Sequence, residues 1–197
     1  MSAESNEELD RLHMAQLAAG QDASLNPLME RHGPKLFHYL IRVLQDETEA
    51  SDLAQETFVR VYKHRTRFNP GQKFSTWLYT IATNLGRDRL RWRARHPQVS
   101  LDAENEQTGG GLRDTLAAPN LAPGDILQAE ERAVAVRQAV AALPEELRLP
   151  LVLAEYEDRS QAEIAGILNC SIKAVEMRIY RARQELRARL SKLLEQL

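Results

Sequence analysis

Apolar residues recur through most of the chain at intervals of three and four, the spacing of one face of a helix. From 36 to 44 that face is Leu36, Phe37, Leu40, Ile41 and Leu44. A second helix is predicted from about 47 to 64. Leu53, Ala54 and Val61 are expected on its inner face, with Phe58 a further candidate for the same side. Asn69-Pro70-Gly71 breaks the pattern, since this triplet suits a turn and not a continuing helix. Ser75 stands where an N-cap would start the next helix, whose inner face reads Trp77, Leu78, Ile81, Ala82 and Leu85, and Pro97 ends its continuation. The alternation of strands and the Asn-Gly or Asp-Gly signal of hairpins do not occur, so the fold class is all-α.

Between 97 and 125 the periodicity fails. The segment SLDAENEQTGGGLRDTLAAPNLAPGD holds three consecutive glycines, two prolines and few large apolar groups. It is expected to be a flexible acidic linker, leaving two small helical domains at 10–96 and 126–197. In the second, 126–143 is helical and Pro144 marks a new start. Residues 160–190 then have helix-turn-helix spacing. Ser160 caps a short helix bearing Ile164, Ala165 and Leu168, Asn169 sits where a left-handed residue is needed, and Ser171 can cap the second helix. That helix carries Val175, Ile179, Ala182, Leu186 and Leu190 inside and Lys173, Arg178, Arg181 and Arg183 outside. A basic second helix behind a tight turn suits insertion into the major groove of DNA.

Composition excludes several classes. A single cysteine, Cys170, rules out a disulfide framework, and a buried structural thiol is expected there. The five histidines lack metal-ligand spacing; with no metalloprotease, P-loop or nucleophile-elbow motif, no cofactor, metal or catalytic group is expected, and the protein is read as no enzyme. Apolar runs fall short of the ~18 residues that cross a bilayer, and the first ten residues are acidic, unlike a signal peptide. No membrane insertion and a cytoplasmic location are therefore expected.

The formal net charge is only −2, yet the charge is segregated. Residues 45–56 carry five acids and no base, whereas 63–95 carry nine Lys/Arg against Asp88 alone, and 171–192 carry seven against Glu176 and Glu185. Two basic islands in an otherwise acidic chain suit two separate contacts with a polyanion. Within the first island Phe68, Phe74, Trp77, Tyr79 and Trp92 alternate with the cations. Such interleaving suits a surface that holds a phosphate backbone and stacks on splayed bases, and equally an amphipathic helix with an aromatic inner stripe and a basic outer face. Trp77 shares the stripe of Ile81 and Leu85 and is expected in the core. Tyr79 points elsewhere on the helix and Trp92 lies near its basic end, so both remain open.

Three segments in order resemble the extracytoplasmic-function (ECF) class of bacterial sigma factors: DLAQETFVRVY at 52–62, FSTWLYTIATNLGRDRLR at 74–91, and LPEELRLPLVLAEYEDRSQAEIAGILNCSIKAVEMRIYRAR at 143–183. The resemblance implies that Asp52, Gln55, Glu56, Phe58, Arg60 and Tyr62 bind core RNA polymerase. It implies that Phe68, Asn69, Lys73, Phe74, Asn84, Arg87, Arg89 and Arg91 recognise and melt the minus-ten element of promoter DNA, with the loop 69–73 receiving an extruded base. It implies that Lys173, Glu176, Met177, Arg178, Tyr180 and Arg181 approach the minus-thirty-five element, while Arg187, Arg189 and Lys192 meet the backbone or an adjoining polymerase element. Glu176 either accepts from a cytosine amino group or pairs with Lys173 or Arg183, and the ion pair is the expectation. An anti-sigma factor is the implied regulator, in a stress or envelope response. Two other readings stay open on the residues alone: a helix-turn-helix regulator of duplex DNA without polymerase, and a helical protein-interaction adaptor.

Overall fold

The computed structural model describes residues 3–96 and 123–194, and among these residues eight α-helices and no strand occur. The N-terminal group is α1 (Ala3–Ala18), α2 (Leu25–Leu44), α3 (Glu47–Lys63) and α4 (Phe74–Arg95), with 3-10 turns at Asp22–Ser24 and Arg65–Arg67. The C-terminal group is α5 (Pro123–Ala141), α6 (Glu145–Glu155), α7 (Gln161–Leu168) and α8 (Ile172–Leu194). The linker expected at 97–125 lies outside the described residues up to 122, and its last three positions belong to α5. Helix α1, in the acidic stretch ahead of the first apolar run, was not anticipated.

Local chemistry sets the boundaries. Gln45 takes the left-handed conformation (φ 57°) that ends α2, and Asp46 then starts α3 by accepting from the Glu49 amide at 2.8 Å. Ser160 caps α7 in a full capping box with Glu163, and Asn169 closes that helix at φ 50°. Ser171 accepts from the Ala174 amide at 3.2 Å and so caps α8. Ser75 does not cap α4 as expected: the helix opens at Phe74 with Lys73 at the N-cap, and Ser75 lies inside the first turn. Its hydroxyl instead accepts from Arg159 Nη1 at 2.7 Å, across 84 positions of chain. The tertiary partner outcompetes local capping.

The interior is one apolar cluster running from Met14 in α1 to Ala182 in α8. Around α2, Leu36, Tyr39, Leu40 and Val43 meet Phe58 and Val61 of α3 and Leu78, Ala82 and Leu85 of α4, all buried. Each large side chain removed from water this way contributes about 1.5–3 kcal/mol before the entropy of ordering it is set against it. Gly86 lets α4 approach α2 closely, because a Cβ there would stand 3.4 Å from Val43. In the C-terminal group Leu147, Leu149, Val152, Ile164, Leu168, Val175 and Ile179 form the matching interior. The two groups touch, with α4 against α7 and α2 against α5 and α6.

Candidate nucleic-acid and polymerase surfaces

The break at 69–73 is a built turn. Asn69 Oδ1 accepts from the Gly71 amide at 2.9 Å, and a Cβ on Gly71 would stand 3.2 Å from the same oxygen. Asn69 and Lys73 are exposed at its two ends. Behind it, Phe68, Phe74 and Trp77 meet edge-on or tilted at centroid distances of 5.3 to 6.3 Å, and the His32 ring lies 5.1 Å from Phe74. Phe74 is only 2% exposed, so it is the floor of this cluster and not an open wall, whereas Phe68 is half-buried. Trp77 is half-buried on the apolar stripe as expected.

Several cations of the first island are already partnered. Lys73 Nζ lies 2.9 Å from Glu7 of α1 and 3.3 Å from Glu163 of α7, and the hydrogen bond to Glu7, reinforced by the Glu163 charge, raises its pKa. Arg87 meets Glu145 of α6 at 3.1 Å, and Arg89 meets Glu49 of α3 at 3.6 Å while standing over the Trp92 ring. Arg91 is exposed, with Asp88 at the outer limit of pairing (4.0 Å), and Asn84 is exposed. Tyr79, left open by the sequence, is buried and donates its hydroxyl to Glu157 at 2.5 Å. Sequence reasoning missed Glu7, Glu145, Glu157, Arg159 and Glu163. Only Glu163 had a local signal, the S-x-x-E spacing of a capping box.

On α3, Asp52 and Gln55 are exposed, and Glu56 is joined to Arg60 at 2.9 Å, a hydrogen bond that lowers the Glu56 pKa. Tyr62 is half-buried beneath the Arg65 guanidinium, 4.4 Å from its ring centroid. Phe58, grouped with these residues as a surface contact, is 4% exposed and packs inward towards Gly33. Its helical position places it on the inner face, one step from the exposed Val59.

On α8 the two faces separate cleanly. Val175, Ile179 and Ala182 are buried, while Lys173, Glu176, Met177, Tyr180 and Arg181 are exposed and Arg178 is half-buried. The expected pairing of Glu176 with Lys173 or Arg183 does not form. Arg183 reaches Glu155 of α6 at 2.6 Å instead, and among the described residues Glu176 makes no ion pair. Cys170 is partly buried and packs against the core at the turn. The side chain of Lys192 lies outside the described residues.

This order of helices is reflected in two family matches, Sigma-70 region 2 over residues 28–96 and Sigma-70 region 4 over residues 133–186. The chain is also 35% identical over 179 residues to the ECF RNA polymerase sigma factor SigW of Bacillus subtilis, covering 90% of this chain and 95% of that protein. The chain belongs to the ECF class of RNA polymerase sigma factors. The RNA polymerase sigma-H factor of Pseudomonas aeruginosa is 31% identical, over 96% of this sigma factor and 98% of its own length. Among solved structures, CnrH in complex with the cytosolic domain of CnrY matches with a TM-score of 0.67 and 29% identity, covering 93% of this chain and 98% of CnrH. The sigma factor RpoE of Bartonella quintana, solved with the anti-sigma factor NepR, shares the fold at a TM-score of 0.65 and 23% identity, over 84% and 96% of the two chains. In this sigma factor helices α2 to α4 fill region 2, and the end of α5, all of α6 and α7, and α8 as far as residue 186 lie within region 4; α1 precedes both. No helix among the described residues is long and apolar enough to cross a membrane.

Proposed function

We propose that this sigma factor divides promoter reading between its matched regions. Region 4 approaches the minus-thirty-five element through Lys173, Glu176, Met177, Arg178, Tyr180 and Arg181. The observation that carries this is the separation of faces on α8, whose exposed side presents these groups while Val175, Ile179 and Ala182 lock the helix against α6 and α7. An arginine there can pair bidentately with guanine, and the carboxylate of Glu176, which makes no ion pair among the described residues, can accept from a cytosine amino group.

Region 2 melts and holds the minus-ten strand. Asn69 and Lys73 frame the turn, Phe68 offers the accessible ring, and Asn84, Arg87, Arg89 and Arg91 follow along α4. Phe74 supports that turn from inside. Unstacking a base costs a few kcal/mol, which stacking and phosphate contacts with the freed strand must offset. The exposed Asp52 and Gln55, with the Glu56–Arg60 pair, form the core polymerase contact, because carboxylates repel DNA phosphate. Phe58 stiffens that helix from below and Tyr62 borders it. The functional units span 10–96 and 126–197. The nucleotidyl transfer is the polymerase's own, and the sigma factor acts in the cytoplasm with it. CnrH is in complex with the cytosolic domain of CnrY; for this chain the implied protein partner is an anti-sigma factor, which would tie it to a stress or envelope signal.

The test is abortive transcription with core bacterial RNA polymerase on a genomic promoter library, with and without the protein. Start sites that appear only with it are the expected outcome. Polymerase binding without new start sites would leave a polymerase-binding regulator. Failure to bind polymerase would remove the reading of 52–62 and favour a regulator of duplex DNA.

A further inference from the structure

Helix α1 buries a charge where apolar residues would dock it. Met14 and Leu17, further along the same face, are 1% and 0% exposed, and Asp10 beside them is 3% exposed. Its Oδ1 accepts from Arg31 Nη1 of α2, and its Oδ2 accepts from His32 Nε2 at 2.8 Å. A buried carboxylate held by cations is a weak source of stability, and the geometry it fixes is the more telling property.

The geometry fixed here is that of the His32 ring. Its centroid lies 5.1 Å from that of Phe74, with the planes tilted by 59°. Phe74 in turn meets Phe68 edge-on at 6.1 Å, and Trp77 closes on Phe68 at 5.3 Å. A line of contacts therefore runs from Asp10 through His32 and Phe74 to the half-buried ring that precedes the 69–73 turn. The same helix touches the 3-10 turn Arg65–Arg67 that leads into Phe68. Glu7, one helical turn before Asp10, holds Lys73 at the far end at 2.9 Å. Helix α1 thus braces the turn at its entry, floor and exit, although it lies ahead of the residues 28–96 matched to region 2. A pocket held rigid before binding has less freedom to lose when its ligand arrives.

We propose that His32 is a positioning residue for capture of the extruded minus-ten base: Asp10 pins its ring, and the pinned ring holds Phe74, and through it Phe68, in the receiving arrangement. This rests on the assignment of Phe68 and the 69–73 turn to that base. A cluster that merely docked α1 would act on every DNA alike, whereas a positioning residue matters only when the base is there to be received.

The experiment uses holoenzyme reconstituted from core polymerase and the full chain. The probe is a promoter found in the transcription test, mismatched across the minus-ten element so that its non-template strand is already free. Fluorescence anisotropy reports affinity for it and for a set in which each minus-ten base in turn is replaced by an abasic site. The parent is expected to lose affinity at one position of the set. His32→Ala should weaken the intact probe about fivefold, the weight of one aromatic contact, and cost nothing more at that abasic position. Asp10→Ala should show the same base-dependent loss, and no further one when combined with His32→Ala. Leu17→Ala opens a cavity under α1 away from the pin, so it should lower the melting temperature and leave the DNA pattern of the parent intact. Unchanged affinity in His32→Ala, or a loss of equal size with and without the base, overturns the positioning role. The same base-dependent loss in Leu17→Ala overturns it as well, and an additive double variant overturns the pin by Asp10. Phe68→Ala then locates the fault. If it shows no base-dependent loss, the pocket assignment itself is wrong; if it shows one, the assignment stands and only the role of His32 fails.

Discussion

Arg93 Nη2 lies 2.7 Å from Glu49 Oε2, and this pair ties the basic end of α4 to the first turn of α3. The same guanidinium reaches Asp46 at 3.1 Å and donates to the Leu44 carbonyl at 2.8 Å, so it clasps the α2–α3 corner. Both partners of the Arg93–Glu49 pair are only partly exposed, and the acids sit at the positive end of the α3 dipole. Arg93→Ala is expected to lower stability by about 1 kcal/mol after allowance for solvent screening. Arg93→Lys should recover less than half of that, since one ammonium cannot reproduce the fork. Thermal denaturation of the three proteins measures both numbers. An unchanged melting temperature for the alanine variant would show that the corner holds without its clasp.

Tyr39 and Thr83 share a hydrogen bond of 2.8 Å with both residues fully buried, and Tyr39 also meets Tyr79 edge-on at 5.1 Å. Burial drives the Tyr39 pKa upwards, so the phenol stays neutral and the pair is an uncharged one. Removing one partner strands the other without water. Thr83→Val is therefore expected to cost about 1–3 kcal/mol, and Tyr39→Phe a similar amount. The double variant should cost clearly less than the sum, because it leaves no orphaned hydroxyl. A denaturant-based double-mutant cycle decides this, and simple additivity would count against a direct bond.

Much of this architecture was legible along the chain, and most of the part that was not has one physical cause. The helices over 47–63 and 74–95, the capped turn at Ser160, the left-handed Asn169 and the two faces of α8 all follow from signals within four residues of each other. Phe58 was grouped with surface residues although its spacing with Leu53 and Val61 already placed it inside. Ser75 as a cap, Glu176 as an ion-pair partner and Tyr79 as an open question depended on residues 78 or more positions away, or on a competitor such as Glu155 for Arg183. Long-range polar partners carry no periodicity, so no window along the chain displays them. The role of α1 was hidden for the same reason. Its buried Asp10 is held by Arg31 and His32 of α2, a pairing invisible without the fold.

The two proposed binding faces should fail separately. Asp52→Lys reverses an exposed charge on α3 and is expected to weaken core polymerase binding by about tenfold, with thermal stability and DNA affinity nearly unchanged. Arg181→Ala on α8 should leave polymerase affinity intact. If Arg181 meets phosphate, the slope of log affinity for minus-thirty-five duplex against log salt falls by about one; if it reads a base, about 1–3 kcal/mol of discrimination disappears at one position. Competition binding with fluorescent polymerase and a salt series on duplex DNA separate these cases. Loss of polymerase affinity in Arg181→Ala would mean that α8 faces the enzyme and not the promoter.

Glu157 gives the turn between α6 and α7 a pH signature. Burial raises its pKa, and this outweighs the hydrogen bond from Tyr79 and the nearby charges of Arg42 and Arg159, which pull it down. The native protein therefore binds that proton more tightly than the unfolded chain, whose glutamate titrates near 4.3. The stabilisation from this group is fully present below that value and is lost as pH rises through the raised one. Glu163 has the opposite sign. Its burial is outweighed by Ser160 and Lys73, its pKa is lowered, and its contribution is lost on acidification. Whole-protein melting against pH mixes the two, so the variant must isolate one. Glu157→Gln removes the first contribution only, and the melting temperature of the variant relative to the parent is expected to rise steadily from about pH 4 to pH 7. Thermal melts of both proteins across that range test it. A difference that stays flat or falls would mean that the Tyr79 hydrogen bond and the charges of Arg42 and Arg159 outweigh burial at Glu157.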